Sequence, residues 1–345
     1  MRKVLITGGT GFLGIHVARK FLKNHWKVFL LDIAPLEDKY LTDKVTVYKG
    51  DIRDRALMEK LTKGMDVVVH GAAALPIQRD AKIIWDINVG GTWNVLEAAQ
   101  KNKVKRVVYI SSTAIYGVPK KHPIYETDPV IPLGNYGVTK AESERVIDVY
   151  RNRGMFICVL RPKTFLGPER LGVFQILFDW VRRGKKIYVI GNGQNRYQLL
   201  AVQDLADGIY LGATHSKAND TFNIGADKFQ TMQKDLQAVL NHAKTGSRLV
   251  MLPAKPVQKA LRALELARLS PLVQWQYETM DKDSFVSVDK IKKTLKWKPK
   301  ISSSGTLIET YAWYAKHWKE YEGKVGMTHR VAWDQKILKL IRAFS

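Results

Sequence analysis

The sequence predicts an α/β fold, a doubly wound parallel sheet with a smaller mixed domain over its carboxyl edge. Three observations lead there. Short β-rich runs alternate with helix-period segments through the first half of the chain, the order that builds parallel strands joined by crossover helices. The runs are continuously apolar, as in Val67-Val-Val69, which is the pattern of strands buried on both faces. Past about residue 165 the alternation loses its regularity, at loops marked by Arg161-Pro162, Gly167-Pro168 and Gly191-Asn-Gly193.

Taken in order, strands are expected at residues 3–7, 27–32, 45–49, 67–70, 106–111 and 156–161. Helical patterns fall between them at 11–24, 55–62, 88–101 and 136–152. The first run follows a basic start, Met1-Arg2-Lys3, but stops at Thr7-Gly-Gly9. That is far short of the apolar core of an export signal, so it reads as a buried strand. The second half has helical candidates at 172–183, 204–214, 255–270 and 303–321. These elements divide the chain into a parallel-sheet domain over 1–165, to which segments near 197–227 return, and a smaller domain over 166–325 that covers the sheet edge where doubly wound folds take their ligands. A basic amphipathic tail is expected over 326–345.

Composition narrows the class. The 345 residues carry 56 Lys+Arg against 32 Asp+Glu, a formal net charge of +24. With 46% hydrophobic and 26% charged residues the chain has enough apolar material for a core, which excludes wholesale disorder. The single cysteine, Cys158, excludes an intrachain disulfide and a Cys-based zinc site, and no metal is expected. It lies in the apolar run Phe156-Ile-Cys-Val-Leu160 and reads as an inert core residue. No stretch approaches 18 uninterrupted apolar residues, so the expected location is cytoplasmic, with a peripheral place on the inner face of the membrane as an option. The basic surplus implies an anionic partner. Basic runs at 101–106, 182–186 and 290–300 are dispersed and carry no nucleic-acid-binding motif, so nucleic acid is not expected.

Thr7-Gly-Gly-Thr-Gly-Phe-Leu-Gly14 follows a strand and opens a helix. Gly8 serves the tight turn, Gly11 the close approach of backbone to a pyrophosphate, and Gly14 the helix–sheet packing. The free amides of the helix start, at Phe12 and Leu13, would then face that pyrophosphate. This is the dinucleotide fingerprint of a Rossmann fold. Asp32 closes the second strand, where its carboxylate would bind ribose hydroxyls and repel a 2′-phosphate, so NAD is expected over NADP. Gly50-Asp51-Ile52 follows the third strand and would lie near the adenine.

Tyr136-Gly-Val-Thr-Lys140 puts a phenol and an ammonium on one face of a helix. A tyrosine near its ordinary pKa of about 10 is a poor base at neutral pH, and a nearby cation favours its phenolate. A fixed hydroxyl such as Ser112 would hold a substrate oxygen for proton transfer to that phenolate.

With these motifs in place, the chain resembles the extended short-chain dehydrogenases/reductases, in the NAD-dependent epimerase/dehydratase family. The resemblance runs from Lys3 to about Lys319. It rests on the glycine loop, Gly50-Asp51, His70-Gly-Ala-Ala73, Asn88-Val-Gly-Gly-Thr92 and Ser111-Ser-Thr-Ala-Ile-Tyr-Gly117. Tyr136-Gly-Val-Thr-Lys140, Leu160-Arg-Pro162, Val202-Gln-Asp204 and Phe222-Asn-Ile-Gly225 extend it. It implies Tyr136 as base, Lys140 on the nicotinamide ribose and Ser112 orienting substrate. It also implies Asp51 and Ile52 flanking the adenine, Ala72 and Asn88 beside the cofactor or active site, and a homodimer.

The segment Ser112-Thr-Ala-Ile-Tyr116 lacks the Asp-Glu pair that sugar 4,6-dehydratases of this family carry there. Elimination needs that extra acid and base, so oxidation–reduction is expected without dehydration. The reaction expected is epimerisation of a secondary hydroxyl on a diphosphate-linked sugar, carried by a nucleotide or a polyprenyl lipid. The alternative is a dehydrogenase of a sterol-like or other lipid alcohol. A third reading, a non-catalytic NAD-binding protein, is opposed by the intact Ser112, Tyr136 and Lys140. Thr164 stands where the family's nucleotide-sugar epimerases place an Asn, and Arg196 stands one place before their usual arginine position, which is Tyr197. Thr113, Thr164 and Arg196 join Ser112 as expected substrate contacts. Residues 331–344 and 256–269 form basic amphipathic patterns of a kind that can lie on an anionic membrane surface.

Overall fold

The computed structural model describes residues 1–74, 78, 80–170, 173–266 and 274–321. The expected tail at 326–345 and the end of the basic segment at 256–269 lie outside them.

The first half runs β1 (Lys3–Thr7), α1 (Phe12–Lys23), β2 (Lys27–Asp32), β3 (Thr46–Lys49), α2 (Arg55–Thr62), β4 (Val67–His70), α3 (Ala81–Trp85), α4 (Gly91–Lys101), β5 (Arg106–Ile110), α5 (Gly134–Asn152) and β6 (Ile157–Pro162). There follow β7 (Phe165–Leu166), α6 (Val173–Arg182), β8 (Ile187–Ile190), β9 (Leu200–Ala201), α7 (Val202–Thr214) and β10 (Thr221–Ile224). The chain ends its described course with α8 (Met232–Ala243), β11 (Leu249–Leu252), α9 (Ala254–Leu266), α10 (Gln274–Thr279), α11 (Asp289–Leu295) and α12 (Ser303–Tyr321).

Seven strands form one sheet in the order β10-β6-β5-β4-β1-β2-β3, and every pairing is parallel. The reversal of direction between β1 and β4 is the switch point at which doubly wound sheets bind ligands. The period of two along each strand explains the two-sided burial. Val4, Ile6, Val67, Val69, Val108 and Ile110 belong to a core shared with Ile15, Phe21 and Ile209 of α1 and α7. The intervening Leu5, Val68, Val107 and Tyr109 belong to another, shared with Met58, Val95, Ile147 and Tyr150 of α2, α4 and α5. Helices therefore cover both faces. Cys158 is fully buried in the first core, and burial pushes its thiol up to about 12.

A third core holds the second unit together, with Leu166, Phe178, Val181, Ile187, Leu236, Tyr311 and Tyr314 drawn from β7, α6, β8, α8 and α12. The smaller parallel pairs are β8 with β11 and β7 with β9. Trp297 and Asp204 tie the segment that leads into α12 to α7. The indole Nε1 donates to the Asp204 carbonyl at 2.9 Å, and the Asp204 carboxylate accepts from Lys300 N at 2.9 Å and Ile301 N at 3.0 Å.

Element ends differ from expectation in a few places. The strand expected at 45–49 starts at Thr46, and the helix expected at 88–101 starts as a π-helical turn over Asp86–Gly90 that leads into α4. The turn puts Asn88 at 2% exposure and lets its backbone carbonyl accept from the Ser143 hydroxyl of α5 at 2.8 Å. Helix α9 buries none of its described side chains.

Candidate active site

Four segments converge at the carboxyl ends of β1, β4, β5 and β6. The first is the glycine loop. Gly8 has φ +69°, and a Cβ there would stand 2.9 Å from Ala72 N. At Gly14 a Cβ would stand 2.3 Å from the Gly8 carbonyl oxygen. Larger residues would push the loop off the sheet. No side chain caps α1, whose N-cap is Gly11, so the amides of its first turn, at Phe12 and Leu13, have no helical acceptor. Asp32 braces this loop, accepting from Thr10 N at 3.1 Å and Ala34 N at 3.1 Å. A small cavity lies among Gly8, Leu13, Gly71 and Ile110. An uncapped helix start with no acidic residue in its first turn, and glycines that no side chain could replace, fit a dinucleotide pyrophosphate.

Asp51 is held by Arg53, whose Nη2 donates at 2.7 Å, and this contact keeps its carboxyl below the usual range. Ile52 is 5% exposed and packs on Gly91, where a Cβ would stand 2.3 Å away. The second segment follows β4, where Ala72 lies over Gly8 and donates its N–H to Thr7 Oγ1 at 3.3 Å. Asn88 uses its whole side chain inside the protein, accepting from Ala74 N at 2.8 Å and donating to Thr139 Oγ1 at 2.9 Å. It braces the helix that carries Tyr136 and Lys140.

The third segment follows β5. Ser112 caps the short 3₁₀ turn Thr113–Tyr116 by accepting from Ala114 N at 3.1 Å. Thr113 Oγ1 donates to the Pro162 carbonyl at 3.3 Å. Helix α5 comes close to this turn because residue 137 is glycine. A Cβ there would sit 2.8 Å from the Ala114 carbonyl oxygen. Sequence reading passed over that glycine inside the Tyr-x-x-x-Lys motif.

Tyr136 is half-buried in the first turn of α5. Burial pushes its phenol up to about 12, while the Ser112 hydroxyl and the Arg170 guanidinium act in the opposite direction. Lys140 is 3% exposed, and its Nζ donates to the Ile110 carbonyl at 2.6 Å and to Tyr109 Oη at 3.2 Å. Burial brings that amine down to about 7. The cation that acts on Tyr136 is thus Arg170, a residue that sequence reading did not select.

Beneath these groups lies a braced network. Arg161 donates to Glu144 Oε2 at 2.6 Å and to Tyr116 Oη at 2.7 Å, while Ser111 hydrogen-bonds Glu144 and Tyr116 Oη donates to Asn223 Oδ1 at 2.8 Å. The fourth segment carries the expected substrate contacts. Thr164 Oγ1 lies 2.9 Å from Tyr197 Oη, so the residue at the expected arginine position faces Thr164. Arg196 is exposed and stacks its guanidinium 4.5 Å from the Phe285 ring and 4.9 Å from that of Phe229. Lys163 is 4% exposed, donates to Ser284 Oγ at 2.5 Å and is brought down to about 7 by burial. It too went unnoticed in the sequence, where nothing marks a lysine after Arg161-Pro162 as buried.

Residues 4–225 match the model of the NAD dependent epimerase/dehydratase family. The chain belongs to that family. It is an NAD-dependent enzyme of the extended short-chain dehydrogenase/reductase type. An uncharacterized protein of Sinorhizobium fredii is 33% identical over 342 residues, covering 99% of this chain and 86% of that protein. The UDP-glucose 4-epimerase of Lactobacillus helveticus is 29% identical over 352 residues, covering 93% and 100%. The crystal structure of a UDP-glucose 4-epimerase of Thermotoga maritima, solved with UDP-glucose, matches with a TM-score of 0.78 at 25% identity, covering 92% of this chain and 99% of that one. Among the described residues no helix is long and apolar enough to cross a membrane.

Proposed function

We propose that this family member epimerises a secondary hydroxyl of a diphosphate-linked sugar by transient oxidation to a ketone and re-reduction. The observation that carries this reading is Tyr136 interacting with Ser112 and Arg170, on the same helix as a buried Lys140 that is fixed to the end of β5. The likeness to UDP-glucose 4-epimerases supports the sugar class. Bound NAD supplies the oxidant in the first half-reaction and the reductant in the second.

Gly8, Gly11, Gly14 and the first-turn amides of α1 would hold the pyrophosphate, with Asp32 toward the ribose and Asp51 and Ile52 toward the adenine. Ser112 Oγ holds the reacting substrate oxygen against Tyr136 Oη. The Tyr136 phenolate removes that oxygen's proton as the alcohol becomes a ketone, and returns it when the alcohol is remade. Lys140, fixed to the end of β5, would hold the cofactor's ribose. Thr113, Thr164 and Arg196 line the substrate side. Inversion needs only that the ketone turn over before reduction, so no further acid or base is called for.

Incubation of the enzyme with UDP-glucose and NAD, followed by NMR of the sugar, tests this. The expected result is an equilibrium mixture with the 4-epimer and no accumulation of NADH. NADH formed in proportion to product would overturn the epimerase reading in favour of a net dehydrogenase.

A further inference from the structure

Arg170 ends the loop Gly167-Pro-Glu-Arg170 that leads out of β7. Its side chain is packed between two aromatic rings, the guanidinium carbon 5.2 Å from the Phe12 ring centroid and 5.6 Å from that of Phe165. Those two rings are themselves stacked, with centroids 5.9 Å apart. Phe12 is the first residue of α1, so the guanidinium stands beside the uncapped helix start. Tyr136 is close enough for its phenol to feel that charge.

Arg170 is only 7% exposed, yet its buried Nε and Nη1 have no hydrogen-bond partner, and no carboxylate pairs with it among the described residues. Of the acids on this side, neither is paired with Arg170, although Glu169 Oε2 is itself buried without a hydrogen-bond partner. Glu169 accepts from Arg19 Nη2 at 2.8 Å, and Asp38 pairs with the same arginine. The loop is docked on α1 by that Glu169 contact and by His16 Nε2, which lies 3.2 Å from the Pro168 carbonyl oxygen. Glu169 takes the left-handed conformation, φ 72°, a backbone cost that a non-glycine residue bears only where its surroundings enforce it.

A buried guanidinium without an anion is among the least stable arrangements a protein interior offers. Arginine's planar fork matches the oxygens of phosphate and carboxylate. We propose that Arg170 is the receptor for an anionic oxygen group brought into the site between Phe12 and Tyr136. Two sources share that chemistry: the pyrophosphate of the dinucleotide, which the helix start adjoins, and the phosphate or carboxylate of the sugar substrate, which Tyr136 adjoins. The substrate arm rests on the function proposed above, and the cofactor arm does not.

Equilibrium binding to the full-length protein separates the sources and is independent of turnover. NAD is titrated into wild type, Arg170→Met and Arg170→Lys, and UDP-glucose and UDP-glucuronate are titrated into each at saturating NAD. A roughly ten- to hundredfold loss of NAD affinity in Arg170→Met, partly restored in Arg170→Lys, assigns the cofactor phosphate. A loss of the same size for a sugar nucleotide, with NAD binding intact, assigns the substrate. Unchanged affinity for every probe the wild type binds overturns the proposal. Thermal melting without ligand is the control for folding. An arginine awaiting its anion predicts that Arg170→Met melts no lower than wild type and loses part of the ligand-induced rise. A melting point well below wild type with the full ligand-induced rise also overturns it.

Discussion

The cofactor half and the segment after β6 handle their buried polar groups differently. Around α5 the polar atoms answer one another: Asn88 with Ala74 and Thr139, Ser143 with Asn88, and Arg161 with Glu144 and Tyr116. After β6 buried atoms stand without partners among the described residues, including Arg170 Nε and Nη1, Asn195 Oδ1 and Asp235 Oδ1. Buried polar groups are rarely left unpaired without a reason. Among the described residues the frame around α5 is complete in itself, while elsewhere in the cofactor half Trp26 Nε1 and His122 Nε2 are the buried side-chain atoms without partners. Among those same residues, the segment after β6 keeps donors on Arg170 and acceptors on Asn195 and Asp235 without a partner.

The largest effect is expected at the junction of the two regions. Tyr136→Phe should lower kcat by about 10³-fold while NAD affinity stays unchanged, because only the titrating oxygen is removed. Turnover within tenfold of wild type would show that another group moves the proton. Wild-type activity should also rise with pH through the neutral range, since the active form is the phenolate and burial holds the phenol high.

Next comes the closed network. Arg161→Met leaves Glu144, with its side chain 12% exposed, without its cation, and should cost about 3–5 kcal/mol of folding stability in urea unfolding. A cost under about 1 kcal/mol would mean that the cofactor half is no more tightly braced than the rest.

His70 tests the same frame through pH. It is 1% exposed, with Nδ1 2.8 Å from Thr7 Oγ1 and Nε2 3.0 Å from Thr92 Oγ1, and burial brings it from 6.5 down to about 3. The unfolded chain binds the proton first as pH falls below 6.5. Its contribution is therefore intact above that pH and is lost between 6.5 and about 3, at about 1.4 kcal/mol per pH unit. From pH 6.5 to 5 the wild type should lose about 2 kcal/mol more than His70→Asn. Parallel pH profiles of the two proteins would mean that the ring gains its proton in the folded state.

The smallest effect belongs to the open region. Arg196→Ala removes an exposed stacking contact and should cost at most about 1 kcal/mol of stability. If Arg196 meets the substrate, KM rises with kcat nearly constant. An unchanged KM would confine its role to covering Phe229 and Phe285.

What could be read in the sequence was what is local. The glycine loop, the strand–helix alternation and the Tyr136–Lys140 spacing are set by neighbours along the chain, and they stand where they were expected. Asn88 was recognised by its motif, but its work as a brace depends on a π-helical turn meeting α5. Arg170 and Lys163 were missed because their burial comes from partners far along the chain. Phe12 covers Arg170, and Ser284 and Tyr197 cover Lys163. No periodicity records such contacts.

The main sheet is finished by β10, which pairs with β6 in the register Thr221↔Val159 to Ile224↔Pro162. About sixty residues of β7, α6, β8, β9 and α7 are made between those two strands. During synthesis at roughly 5–20 residues per second, β6 therefore leaves the ribosome several seconds before the strand that covers it. An open strand edge is a template for pairing with other chains. The nascent chain must pass through this interval with one side of its sheet uncovered.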